Sequence, residues 1–529
     1  MRAETGGVGR VWPIGAAALL AALAILYPFT QALYLPLTDL PNHIARHTIM
    51  AAGDGSPLAQ YWTSTFVIVP NSAVDLLWQA IGEGSAILFS HRVMAFAALN
   101  LFASALVLAY VVHGRITAWT LAAGLAVFSA TFLYGFQNYS FSLPFAIYAF
   151  ALYLALEARP VWQRLAVFVA ITPVLFIMHF FAFAILATLA FGREAQKLLE
   201  RRDLASLGQG ALMAVPFLLP LAYLLFSMAT GPENPAGNHT EFGSFATRIL
   251  RFAGPMHSYA LDMTGALNST IFIITMVLYG IFLTSILPFH WGLKVAPAMR
   301  LPVLILLAVA ALAPTWLAGV ALIDIRFPFV FILVMIASTE LRLPSPRGAV
   351  AVGAIVLALI GFRSHQMATY WGAHDAEMRD LTALLDETVE PSDRILPVFG
   401  PGNFSNANSR LWHVQAYATA TNGAFIPTLF QGVHAVQLRP EWEAYATPLM
   451  HTNPTCALFE AAPKEKFRDR EWCQVEAYLA DWPEKFTKVL AMDALAPEIT
   501  EGAPVRLIGR QGRFEIYEVL PARTASPSS

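Results

Sequence analysis

Apolar and polar positions fall into two regimes along this 529-residue chain. Up to about residue 363, long apolar stretches are separated by short polar breaks; beyond it the two kinds alternate over short distances. None of Asp, Glu, Lys or Arg occurs from Ile116 to Leu156, from Leu165 to Gly192, or from Leu204 to Pro232. A helix needs about 20 such residues to cross a bilayer. The pattern predicts about eleven spans, at 11–33, 91–113, 116–134, 139–157, 163–177, 179–192, 207–228, 267–288, 301–321, 327–340 and 348–363. The expected fold class is an all-α polytopic membrane domain over residues 1–363, followed by a small soluble α/β domain over 364–529. In that second part "AEMRDLTALLDETV" (376–389) spaces Met378, Leu381, Leu384 and Leu385 as a helix does. "RILPVF" (394–399), "KVLAMD" (488–493) and "RFEIYEV" (513–519) read as strands. The closing "RTASPSS" is expected to be disordered.

Composition strengthens the membrane reading. Charged residues make up 13% of the chain, where a soluble domain carries roughly 25%. The first apolar run is too long for a signal-peptide core, and "QALYLPL" lacks a small-residue cleavage site, so it is expected to stay as the first helix. Basic residues sit at membrane boundaries, which excludes a nucleic-acid surface. Their distribution also sets an orientation. Arg2 and Arg10 put the N-terminus in the cytoplasm, and "HGR" (113–115), "EARPVWQR" (157–164), "GREAQKLLERR" (192–202), "HWGLK" (290–294) and "ELRLPSPR" (340–347) follow it there. This works only if the apolar run from Val161 to Ala190 is two short helices turning near His179; one long helix would put 192–202 on the other side. The C-terminal domain then faces the periplasm from a bacterial inner membrane. Cys456 and Cys473 lie in that domain and either pair there or stand as separate buried thiols; spacing does not decide.

With this orientation the remaining polar segments share the outer side. "YLPLTDLPNHIARH" (34–47) places Pro41 in a first helical turn, where its missing N–H costs nothing, with Thr38 or Asp39 as the cap. The helix that follows carries His43, His47 and Met50 along one side, with Asn42 and Arg46 beside them. An ionised Asp39 above the bilayer can accept a hydroxyl proton or hold a divalent metal. The competing reading is a capped interfacial helix whose Arg46 meets lipid headgroups. "IDIRFPFVF" (323–331) puts Asp324 and Arg326 at the mouth of a span, where ionisable groups are costly. Arg326 offers a donor fork suited to phosphate; the alternative is an internal Asp–Arg pair. In "YGFQNYSFSLPF" (134–145), Gln137 and Asn138 can bind sugar hydroxyls and Tyr139 can stack, or the turn satisfies its own backbone. His179 is a ligand-binding or a structural histidine. The loop 229–266 adds Glu233, His239, Glu241, His257 and Asp262 without a zinc-ligand spacing.

Taken together, "TDLPNH", "GFQNYSFSLPF", "HFFAF", "DIRFPF" and "HVQAYATATNGAFIPTLF" (413–430) resemble the GT-C superfamily of integral-membrane glycosyltransferases. The resemblance is strongest to bacterial members with an Asp–x–Pro–Asn–His segment after the first span. It implies transfer of a sugar from a polyprenyl-phosphate donor, a membrane lipid, to a hydroxyl of a glycan, lipid or protein acceptor, with inversion. It implies Asp39 as the catalytic carboxylate that takes the acceptor's proton or orients its hydroxyl, Arg326 with Arg46 or His43 at the donor phosphate, and a pocket of Asn42, Gln137, Asn138, Tyr139, His179, Asp324, His239 and Glu241. Asp39 is followed by Leu40, not by a second acid, which leaves a divalent metal (magnesium or manganese) open. Two readings from other classes compete: a transporter or flippase for lipid-linked sugars, and a non-catalytic cell-envelope assembly protein. Transporters carry polar sites near the midplane, whereas here the polar groups collect on one side.

Overall fold

The computed structural model describes residues 8–64, 69–230, 239–256, 292–317, 320–341, 345–399, 410–431, 436–445, 481–495 and 497–521, with a few isolated positions between them. The expected span at 267–288, apart from isolated positions, and Glu233, His257, Asp262, Cys456 and Cys473 lie outside the described residues.

Long apolar helices dominate, as the uncharged runs require. They include α1 (Val8–Leu26), α4 (Ala86–His113), α6 (Gln137–Ala155), α7 (Val161–Met178), α8 (Phe180–Arg201), α9 (Leu204–Thr230), α11 (Arg300–Leu312), α12 (Arg326–Ser338) and α13 (Pro346–Thr388). Among the described residues, five helices are long and apolar enough to cross a membrane. Shorter helices lie between them: α2 (Leu40–Ala51), α3 (Ala73–Ile81), α5 (Ala130–Leu133) and α10 (Phe245–Ala253).

Three expected spans differ from what the chain adopts. Residues 116–134 form a 3₁₀ segment, Thr120–Ala126, and then the single turn α5. This stretch is apolar because it is core: Leu121 to Phe128 are buried, and a Cβ on Gly124 would lie 2.7 Å from Ile360 of α13. The span expected at 301–321 stops at Leu312, two residues before Pro314, and a hairpin of β4 (Trp316–Leu317) and β5 (Val320–Ala321) follows. The last span does not end near 363 but continues unbroken to Thr388. The expected domain boundary therefore falls inside a 43-residue helix.

The division at His179 is borne out. Its backbone is extended (φ −167°, ψ 126°) between α7 and α8, and its Nδ1 accepts the Phe181 N–H at 3.1 Å, capping the new helix. The basic segments then meet at one end of the bundle. Glu157 takes Arg193 at 2.7 Å and Lys197 at 3.1 Å, and Arg164 reaches Glu194 at 2.9 Å. Gln196 bonds Pro297 O and Leu301 N, β3 (Leu293–Val295) pairs with β6 (Thr339–Leu341), and Arg115 pairs with Glu340. One long helix over 161–190 would have carried 192–202 away from 157–164; instead the two are in salt-bridge contact.

The C-terminal part is α/β. Its five-stranded sheet has the order β11 (Val505–Gln511), β12 (Phe514–Val519), β10 (Lys488–Ala491), β7 (Ile395–Phe399), β9 (Asn453–Pro454). β7 and β10 are parallel, and β12 is antiparallel to β10. This part docks on the start of the chain: β8 (Val436–Leu438) pairs antiparallel with β1 (Trp62–Ser64), and α14 (Tyr417–Asn422) packs on α2.

Candidate functional site

At the end of the bundle away from the basic cluster, α2 begins at Leu40 with Asp39 as its N-cap residue and Pro41 in its first turn. The Asp39 carboxyl makes no capping hydrogen bond. The backbone fixes the position instead: Asp39 N–H donates to Tyr134 O at 2.9 Å and Thr38 N–H to Leu133 O at 3.3 Å. Gly135 makes this approach possible. Its φ is +78°, and a Cβ there would stand 3.0 Å from Leu40 N and 3.1 Å from Asp39 N. The carboxyl is therefore held on a rigid helix start with its oxygens uncommitted to the cap.

His413 approaches it, and Arg326 lies near enough to act on its charge. His413 Nε2 lies 3.8 Å from Asp39 Oδ1, and the His413 ring packs against Phe430 at 5.1 Å. Phe430 N–H in turn donates to Asn42 Oδ1 at 3.2 Å, so the C-terminal part closes over α2. Arg326 opens α12 inside a cage of aromatic faces: its guanidinium lies 4.3 Å from the Phe136 ring centroid, 5.0 Å from Phe181 and 5.4 Å from Tyr139. Its guanidinium donates to Ala321 O at 3.3 Å, and its Nε has no partner among the described residues. Tyr139 ties the cage to both neighbours, donating its hydroxyl to Arg326 O at 3.2 Å and packing on His179 at 5.2 Å. Burial raises the Asp39 carboxyl to about 7, with Arg326 pulling it back down. A carboxyl titrating there is divided between both forms at neutral pH.

Beside Gly135 lies a group of buried amides with unmet hydrogen-bonding capacity. Neither amide atom of Gln137 has a partner among the described residues, nor have Asn138 Nδ2, Asn42 Nδ2 or Thr38 Oγ1. Asn138 Oδ1 accepts Val74 N–H at 2.7 Å, which fixes which face its amine presents. Unpaired buried amides are expensive unless a ligand completes them.

Other expected site residues have different work. Asp324 does not pair with Arg326. Its carboxylate takes Arg251 of α10 at 2.8 and 3.0 Å and the Thr315 hydroxyl at 2.8 Å. That leaves Arg326, among the described residues, without a carboxylate in ion-pair range. Arg46 is engaged by Asp75 of α3 at 2.9 Å, His47 Nε2 approaches the same carboxylate at 3.3 Å, and His43 Nδ1 meets Arg46 at 3.0 Å. Burial opposes charge on Asp75, but Arg46 and His47 hold it well below the ordinary carboxylate range. Burial, then Arg46, lowers His43 far below the usual imidazole value. Arg46 and His43 thus clamp α2 to α3. His239 stacks on Trp316 at 5.7 Å, while Glu241 sits exposed in β2 (Thr240–Glu241), paired to β4. Sequence reading missed Asp75, Arg251, Thr315 and His413; all act through contacts distant in sequence. Among the described residues no cluster of three or more His, Cys, Asp or Glu could hold a metal ion.

The clamp makes a prediction. Asp75→Asn leaves Arg46 and His47 buried without their counter-charge, a loss of about 3–5 kcal/mol for a broken buried pair. Because the Asp75 carboxyl is depressed, its stabilisation is fully present above the unfolded-state value and should be in force at neutral pH. Thermal unfolding of the detergent-solubilised variant should show a markedly lower midpoint at pH 7, partly restored by adding Arg46→Gln.

No protein-family model and no curated protein matches the chain. Solved structures do. The apo crystal structure of ArnT from Cupriavidus metallidurans aligns over 96% of this chain and 98% of that one, with 13% identity and a TM-score of 0.50. ArnT from the same organism bound to undecaprenyl phosphate aligns over the same shares, with 12% identity and a TM-score of 0.48.

Proposed function

We propose that this chain, which has the fold of the GT-C membrane glycosyltransferases, transfers a sugar from a polyprenyl-phosphate donor to a hydroxyl acceptor at the outer membrane surface. The observation that carries the reading is the placing of an uncapped, high-pKa carboxyl, Asp39, near an aromatic-caged guanidinium, Arg326, that has no carboxylate in ion-pair range among the described residues. A proton acceptor beside an anion receptor is what displacement of a phosphate from a sugar requires.

The steps follow from this placement. The acceptor oxygen attacks the anomeric carbon while its proton passes to an Asp39 oxygen; the bond from that carbon to the phosphate oxygen breaks. The departing prenyl phosphate keeps the bonding pair, and Arg326 stabilises the added charge. One displacement inverts the anomeric centre. His413 orients the Asp39 carboxyl from the C-terminal side, and the open amides of Gln137, Asn138 and Asn42 suit sugar hydroxyls. Among the described residues magnesium or manganese would find one carboxylate here, and Arg326 supplies a positive charge at the departing phosphate, so no step is routed through a metal.

Two measurements test this. Deleting the gene should leave a polyprenyl-phosphate sugar accumulating and one surface glycan missing that sugar, both read by mass spectrometry; unchanged donor and glycan pools would refute transfer. The pH profile tests the base. Since the ionised carboxylate is the reactive form and its pKa is about 7, kcat/KM should climb with pH through that value and fall tenfold per unit below it. A limb near 4 would mean that the carboxyl titrates as an ordinary aspartate, and a limb that persists unchanged in Asp39→Asn would remove Asp39 from the role.

A further inference from the structure

The first half of α4 borders a cleft of about 740 Å³, lined by none of the residues placed in the proposed transfer site. Leu77 and Ile81 of α3 form one wall, Phe89 and Phe96 of α4 the floor, and Phe141 of α6 the far side, with Phe96 and Phe141 in ring contact at 5.7 Å. The surface around it is apolar and open, as the outer face of a membrane-crossing helix would be: Ile81 is 66% exposed, Phe96 46% and Leu88 39%. Two charged side chains line the same cleft, Glu83 from the α3–α4 turn and Arg92, one turn from both Leu88 and Phe96 on the same stripe of α4. Both are exposed, and among the described residues neither enters an ion pair. An unpaired arginine on a lipid-facing stripe is costly unless it meets an anion at the interface.

We infer that this cleft is a binding site for one phospholipid of the zwitterionic, amine-bearing class, with its phosphate on Arg92, its ammonium on Glu83 and an acyl chain along the apolar floor. Unpaired opposite charges at the rim of an apolar groove match a headgroup that carries phosphate and amine together. The volume lies in the range of ordinary ligand pockets, and the three-helix recess differs from the convex surface that ordinary annular lipid covers. The inner wall gives the lipid a structural task. Phe89 packs on Trp78 at 4.9 Å, and both rings contact His47, which approaches Asp75 in the α2–α3 clamp. A chain seated on Phe89 braces that clamp from the membrane side. This inference does not rest on sugar transfer and stands or falls separately from it.

The test is native mass spectrometry of the delipidated full-length protein, titrated with dioleoyl phosphatidylethanolamine, dioleoyl phosphatidylglycerol and dioleoylglycerol. The expected result is one phosphatidylethanolamine held at least tenfold more tightly than either other lipid, with a matching rise in melting temperature. Arg92→Gln should erase the advantage over dioleoylglycerol, Glu83→Gln the advantage over phosphatidylglycerol, and Leu77→Trp, which fills the groove, should weaken all three. Equal binding of the three lipids to the unaltered protein, a comparison that needs no variant to fold, overturns the site as a headgroup receptor. Unchanged phosphatidylethanolamine affinity in a folded Arg92→Gln protein overturns it equally, leaving annular lipid only.

Discussion

Asp39→Asn should lower the transfer rate by roughly 10²–10⁴-fold, the span expected for removing a positioned general base. The substitution keeps the size and shape of the side chain, and nothing in the helix start depends on the carboxyl, which caps no N–H. Stability should move the other way. The Asp39 carboxyl is raised to about 7 by burial, so the folded state favours the protonated form. The stabilisation that comes with the bound proton is complete below the unfolded value near 4 and is gone once pH has passed through 7. Relative to the parent, the Asn variant should therefore melt at a similar temperature at pH 4 and at a higher one at pH 8. A variant that loses both activity and melting temperature at pH 8 would point to a structural role, and one that keeps full activity would end the assignment. His413→Gln separates placement from proton transfer. With Asp39 intact, the pH limb should persist near its original position while kcat falls by a smaller factor.

Which features were readable beforehand follows from how local their causes are. Spans were visible because a bilayer forbids unpaired charge over about 20 residues, and that condition is written along the chain. The turn at His179 was visible because basic residues mark one side, and Glu157, Arg164, Arg193 and Lys197 indeed meet. Asp39 and its proline were visible because helix starts have a local chemistry. The failures are of another kind. Residues 116–134 are as apolar as a span, yet they are packed on every side, and hydropathy does not distinguish lipid from protein interior. Arg46 and Asp324 looked available because their partners, Asp75 and Arg251, stand 29 and 73 residues away. His413 lies in a segment marked by its family resemblance alone, and only folding brings it to 3.8 Å from Asp39. Local rules locate the elements; the ion pairs that decide which charged groups remain free are long-range.

That distinction gives the second large effect. Among the described residues Arg326 has no carboxylate partner, since Asp324 is taken by Arg251, and it stays charged among Phe136, Phe181 and Tyr139 because ring faces attract a guanidinium without neutralising it. Arg326→Met fills the same cage with an apolar chain of similar length. Replacing a buried charge by a packed apolar group is often neutral or stabilising, so the melting temperature should hold or rise. Transfer should nevertheless fall by roughly 10²–10³-fold, the cost of removing one group that stabilises developing charge. The loss should appear mainly in kcat, because phosphate charge grows as the sugar bond breaks and the guanidinium's extra attraction is to the departing group. Arg326→Lys should recover part of the rate, since it keeps the charge but loses the fork and much of the ring stacking. A Met variant as active as the parent would show that the caged cation serves packing alone. A loss confined to KM would make Arg326 a ground-state anchor for the donor, with leaving-group stabilisation supplied elsewhere.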